Sequence, residues 1–130
     1  MPYLTSRDRR PILNARVGHH FDRLISRWFD SSYIAADGDT GQKYVYPNMP
    51  IAVDSATGKY VPYSLGASYG AGSDDPVGVM DEYLDVTQGD EGVTPVWHGK
   101  LLEAHCYIYG AAYGNITDAV KTVLDDITWV

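Results

Sequence analysis

Acidic, imidazole and thiol groups are spread along this chain, and each possible reactive set lacks a partner. Residues Asp37, Asp39 and Gly41 open like a calcium loop, which needs hard oxygen ligands at alternate positions. The third carboxylate is missing and Asn48 stands where a bidentate glutamate belongs, so a solvated turn is the plainer reading. His19 and His20 are adjacent; in a helix they diverge by about 100°, unlike the i, i+4 pair that holds zinc. His98 and His105 lie seven apart across an expected turn, with no second cysteine to complete a site. Glu103 and His105 would share one face of a strand as an acid/base pair, an arrangement common in sheets without any catalytic role.

Nucleophilic and phosphate chemistry fare no better. Cys106 stands alone, which rules out an internal disulfide, and Ala104, Tyr107 and Ile108 around it offer no positive charge to stabilise a thiolate. It reads as a partly buried strand residue. Gly66, Gly70 and Gly72 are followed by Asp74 and Asp75, which repel a phosphate, and by no helix whose N-terminus would hold one. Asn115, Ile116 and Thr117 spell a glycosylation acceptor, but no basic-then-apolar leader is visible, so a soluble, unprocessed, unglycosylated chain made in a reducing cytosol is expected. The expectation is a protein with no catalytic, cofactor-binding or metal-binding residues.

The elements that carry these groups are mainly β. The chain has 130 residues, 45% hydrophobic and 21% charged, enough for one domain with a core that needs no staples. Its 13 Gly, 7 Pro and 11 Tyr favour turns and strands. Residues 1–16 hold two prolines and four arginines without any period, which predicts an extended basic arm that orders on a partner. Residues 17–30 repeat apolar side chains at helical spacing (Val17, Phe21, Leu24, Ile25, Trp28, Phe29), predicting an amphipathic helix whose aromatic face packs on the core or docks on another chain. Residues 31–130 then form the β-rich body, with strands expected at 43–46, 50–54, 60–63, 77–81, 93–97, 100–104 and 105–109. Asp54 and Gly58 mark a hairpin turn, and residues 64–75 a surface loop. Asn115 is expected to cap a C-terminal helix with Asp118 in its first turn and Ile116, Ala119, Val120, Val123, Leu124 and Ile127 as its buried stripe, before a short strand at 127–130. The fold class is thus mainly β with short helices (α+β).

Charge divides the chain unevenly. Residues 1–30 hold all six arginines against Asp8, Asp22 and Asp30, a net of +3, so the total of −7 leaves −10 on the other hundred residues. Such a body repels nucleic acid and anionic membrane, while the arm suits an acidic surface. No run approaches the roughly 20 apolar residues of a membrane-spanning helix.

The middle of the chain carries a resemblance. Pro47, Pro50, Ile51, Val53, Asp54, Gly58, Lys59, Tyr60, Val61, Pro62 and Tyr63 give a proline-led strand, a short turn and a strand ending in an aromatic. Residues 70–73 follow, then Pro76, Val77, Gly78, Val79 and Met80, the polar turn from Asp85 to Gly89, Val93 to Val96, and Gly99, Lys100, Leu101, Leu102 and Glu103. In order and spacing, over about residues 45–110, this resembles the head-decoration (capsid cement) proteins of phage lambda and its relatives. That resemblance implies a small β-rich domain that assembles as a homotrimer on the outer surface of the mature capsid, with the major capsid protein as partner and no cofactor. It also implies an N-terminal arm laid against a capsid strand, here Tyr3, Leu4, Arg7, Arg9, Arg10, Ile12 and Leu13, with the arginines facing capsid carboxylates. The expected helix has no counterpart in that pattern, which leaves Phe21, Leu24, Ile25, Trp28 and Phe29 for packing, a trimer contact or a neighbouring capsomer. The competing readings are a head-completion or tail component on a similar domain, a carbohydrate-binding module suggested by the tyrosines and tryptophans, and a small hydrolase or metal enzyme.

Overall fold

Where periodicity predicted a helix over residues 17–30, the chain runs instead as two strands joined by a short break, and this rearranges the whole N-terminal half. The computed structural model describes residues 14–63 and 75–130. The arm residues Tyr3, Leu4, Arg7, Arg9, Arg10, Ile12 and Leu13, and the expected loop at 64–74, lie outside the described residues. Strand β1 spans Arg16–Arg23 and β2 Arg27–Phe29. Helical spacing was misleading here because Gly18 takes a left-handed φ of +79° that breaks a right-handed helix, and Val, His and Phe around it are indifferent helix formers. Pairing with distant strands satisfies the backbone instead: β1 runs antiparallel to β9 (Val96–Leu101), while β2 lies between β5 (Lys59–Pro62) and β8 (Glu91–Val93). Ala15 is fully buried and its carbonyl accepts from the Leu102 N–H at 2.7 Å, so residues 14–16, assigned to the arm from sequence, belong to the body.

Eight strands form one curled sheet, in the order β1, β9, β6 (Gly78–Val79), β4 (Pro50–Asp54), β5, β2, β8, with β10 (Ile127–Trp129) parallel to β9 at its far end. A two-stranded ribbon of β3 (Tyr44–Val45) and β7 (Leu84–Asp85) completes the described strands. The β4–β5 hairpin forms where expected. The Asp54 carboxylate accepts from Ala56 N at 2.9 Å, and Gly58 at φ +73° closes the turn with its N–H on the Asp54 carbonyl.

The C-terminal helix α1 (Asp118–Val123) is capped by Thr117, not Asn115, with the Thr117 hydroxyl accepting from Val120 N at 3.4 Å. Ile116, Val120, Leu124 and Ile127 are buried, but Ala119 and Val123 face outward because one short helix on a sheet covers only a narrow stripe. The strands expected at 93–97 and 100–104 resolve into the end of β8 and a single β9. The segment expected as a strand at 105–109 starts on a 3-10 turn, Glu103–His105, and continues without regular pairing.

Two apolar clusters hold these elements. Ala15, Val79, Leu101, Cys106, Val120 and Ile127 anchor the first; Phe29, Met49, Ile51, Tyr60, Met80 and Tyr107 are central to the second. Burying the larger aliphatic and aromatic side chains among these contributes about 1.5–3 kcal/mol each before chain entropy is set against it.

Candidate functional site

Strand β1 is an outer strand of the sheet, pairing among the described strands with β9 alone, and its register is broken. From Val17↔Lys100 to Asp22↔His98, β1 advances five residues while β9 advances two, so three extra residues bulge out of the edge. Phe21 returns from the bulge onto Gly99, where an added Cβ would collide with the ring. The bulge opens a hollow of about 470 Å³ lined by Asn14, Arg16, Gly18, His19, Phe21 and Arg23.

Arginines stand at two points of this lining and share one buried anion. Arg23 grips Asp81 through both guanidinium nitrogens, at 2.7 and 2.6 Å, and donates to the Thr94 carbonyl at 3.0 Å. The Asp81 side chain is only 3% exposed, so it neutralises the arginine from beneath the surface. That hydrogen bond raises the Arg23 pKa further, against a smaller opposing effect of burial. Arg16 reaches Asp81 only at 3.8 Å and remains 46% exposed. Nearby, His98 Nδ1 lies 3.0 Å from the Asp22 carboxylate, and His105 Nδ1 lies 2.9 Å from the Asn14 carbonyl, fixing the entry to β1.

A second surface feature is apolar. Ile25 is 67% exposed and Trp28 60% exposed, beside the sheet's β8 edge, where Trp28 stands opposite Gly92. Phe29, the next residue, is fully buried, as strand alternation requires. Phe21 is half-buried over Gly99, and Leu24 packs at the margin of the second core. The five residues expected on one helix face are therefore divided: Phe29 inside, Phe21 and Leu24 at the boundary, Ile25 and Trp28 outside. A third feature is the tyrosine cluster on the β3–β7 ribbon, with the Tyr83 ring 5.3 Å from Tyr44 and 5.5 Å from Tyr46. Burial pushes the hydroxyls of Tyr44 and Tyr83 above the usual phenol pKa.

The groups weighed for catalysis do not converge. Asp37 Oδ1 accepts from the N–H groups of Asp39 and Thr40, making the acidic loop a hydrogen-bonded turn. Glu103 pairs with Lys121 at 2.7 Å while His105 faces Asn14, so the two are not brought together. His19 and His20 are exposed on β1. Cys106 is buried with its thiol donating to the Leu102 carbonyl, and burial pushes its pKa up to about 12, with Glu103 adding to the effect. Among the described residues no three His, Cys, Asp or Glu side chains come together as a metal-ligand set, and no helix is long and apolar enough to cross a membrane.

Sequence reasoning missed the Arg16–Arg23–Asp81 cluster, because Arg23 and Asp81 are 58 residues apart and nothing local links them. The visible signal was only the concentration of Arg16, His19, His20 and Arg23 within eight residues. No family model, curated protein or solved structure matches the chain.

Proposed function

We propose that this chain is a structural protein of a tailed-phage head that binds the outside of the mature capsid as a homotrimer and stabilises the shell. The observation that carries the reading is the placement of the lambda-like pattern. Its strand segments at 50–54, 59–62, 78–79 and 96–101 are neighbours in one unbroken run of the sheet, β5, β4, β6 and β9. Side-by-side packing of the pattern's strands, here with β4 and β5 exchanged relative to their order along the chain, is consistent with one shared domain. The charge division supports the same reading, since a basic N-terminal segment on an acidic body suits an acidic shell partner. Exposed Ile25 and Trp28 add an apolar surface of the kind found at the centre of assembly contacts.

The physics of cementing asks for nothing catalytic. A protein that binds only the expanded lattice stabilises it by mass action at every site, and a trimer with three arms is released only when all three let go. Quantitative mass spectrometry of purified particles tests the reading by counting this chain against the major capsid protein. A ratio near about one to one supports decoration, whereas about a dozen copies per particle, as ring symmetry demands, identifies a head-completion or tail component instead. Absence from the particle removes both.

A further inference from the structure

We infer that the hollow at the β1 bulge is a docking site for a carboxylate of an acidic, extended peptide segment; as an account of which face meets the shell, it rests on the decoration reading. Charge is the first ground. Among the described residues the lining holds two arginines and a histidine and no carboxylate, in a body that is otherwise strongly acidic. Asp81 cancels one arginine from below and Asp22 is engaged by His98, so the positive charge of Arg16 is left facing the hollow.

Preorganisation is the second. Arg23 is fixed by its two-nitrogen grip on Asp81, and its donor to Thr94 ties it to the loop before β9. Among the described residues the Arg16 guanidinium makes no hydrogen bond, so its donors are available to a ligand at little cost in broken contacts. The Phe21 ring, held on Gly99, supplies an apolar wall against which a carboxylate-bearing stem can lie.

Geometry is the third. Bulges at a sheet edge re-aim side chains and interrupt pairing, and here three extra residues turn an edge strand into the wall of a concavity. A peptide passing along this edge can place one acidic side chain between Arg16 and Arg23. A nucleic acid strand offers the same anionic chemistry but brings a continuous charge that the acidic body repels, which favours a local carboxylate over a polyphosphate.

The test uses the full chain, hexaglutamate as the probe, and 1H–15N NMR as the readout. Hexaglutamate is expected to shift the amides of Gly18, His19 and Phe21 in a salt-dependent manner, while hexaglutamine does not. Arg16→Glu should weaken the peptide by about tenfold, with folding checked by unchanged amide shifts away from β1, because it reverses the half-exposed charge that faces the hollow; Arg16→Lys should fall between. Equal affinity in Arg16→Glu, shifts confined to another face, or tighter binding of an oligothymidylate of equal charge at the same residues would overturn the inference. Capsid co-sedimentation separates this inference from the decoration reading. Wild-type protein that fails to sediment with capsids sinks the decoration reading and leaves the peptide result standing, whereas normal sedimentation of Arg16→Glu overturns the hollow's role at the shell and leaves decoration intact.

Discussion

Gly99 has no side chain because the Phe21 ring occupies the space beside it, and its φ of +153° adds strain for any L residue. Gly99→Ala is therefore expected to cost about 2–3 kcal/mol in urea unfolding, through overpacking and backbone strain together. Phe21→Ala removes the clash, so the double variant should be less destabilised than the sum of the singles by about 1 kcal/mol; strict additivity would mean that the ring does not rest on the glycine. Asp90 is a different case, controlled by charge. It accepts from Lys59 Nζ at 2.6 Å and from Ser31 N at 2.9 Å, and the Lys59 bond, followed by the Ser31 N–H, holds its pKa below the usual carboxylate value. A depressed folded pKa gives stability that is present in full above the unfolded value of about 3.9 and is lost as pH falls through the folded one. Asp90→Asn should melt below wild type at about pH 6, and the gap should narrow as pH falls below the unfolded carboxylate value and through the depressed folded one. A gap independent of pH would show that the carboxylate's charge is not what matters.

Strands and helices differ in how far their determinants lie from them along the chain. The β4–β5 hairpin was legible because Asp54 and Gly58 specify its turn from within. The C-terminal helix was legible for a similar reason, though its cap is Thr117, two residues past Asn115. Residues 17–30 misled because their apolar spacing fits a helix, while the groups that make them strands are Lys100, His98, Gly92 and Tyr60, far away in sequence. Two-residue strands such as β7 carry no period at all. The strand assignment makes a sharp prediction for adjacent side chains. On one broad helix face Trp28 and Phe29 would both matter for folding; on β2 they point to opposite sides. Phe29→Ala should cost about 3–5 kcal/mol, since its ring is fully buried, while Trp28→Ala should stay within about 0.5 kcal/mol of wild type. Equal losses, measured by chemical denaturation, would return the segment to a helix.

At the scale of the molecule, the boundary between arm and body decides what a truncation can reveal. Composition drew that boundary after residue 16, because prolines and unpatterned arginines fill the first sixteen positions. Packing draws it no later than residue 13: Ala15 is fully buried, the Leu102 N–H bonds to its carbonyl, and Arg16 pairs with Leu101. Composition could not find this, because the evidence that Ala15 belongs inside is supplied by a strand some 85 residues later in the chain. Deleting residues 1–13 should therefore spare Ala15 and the end of β9, whereas deleting 1–16 should cost about 2 kcal/mol or more beyond it by uncovering the end of β9 and stripping a core residue. If the proposed arm contact with the shell is correct, both deletions lose capsid binding, and only the shorter one does so with the body intact. The pair thus separates an arm that recognises the capsid from a body that has merely come apart. Full capsid binding by the shorter deletion would refute the arm's role and leave the β1 hollow and the Ile25–Trp28 surface as the contacts to pursue.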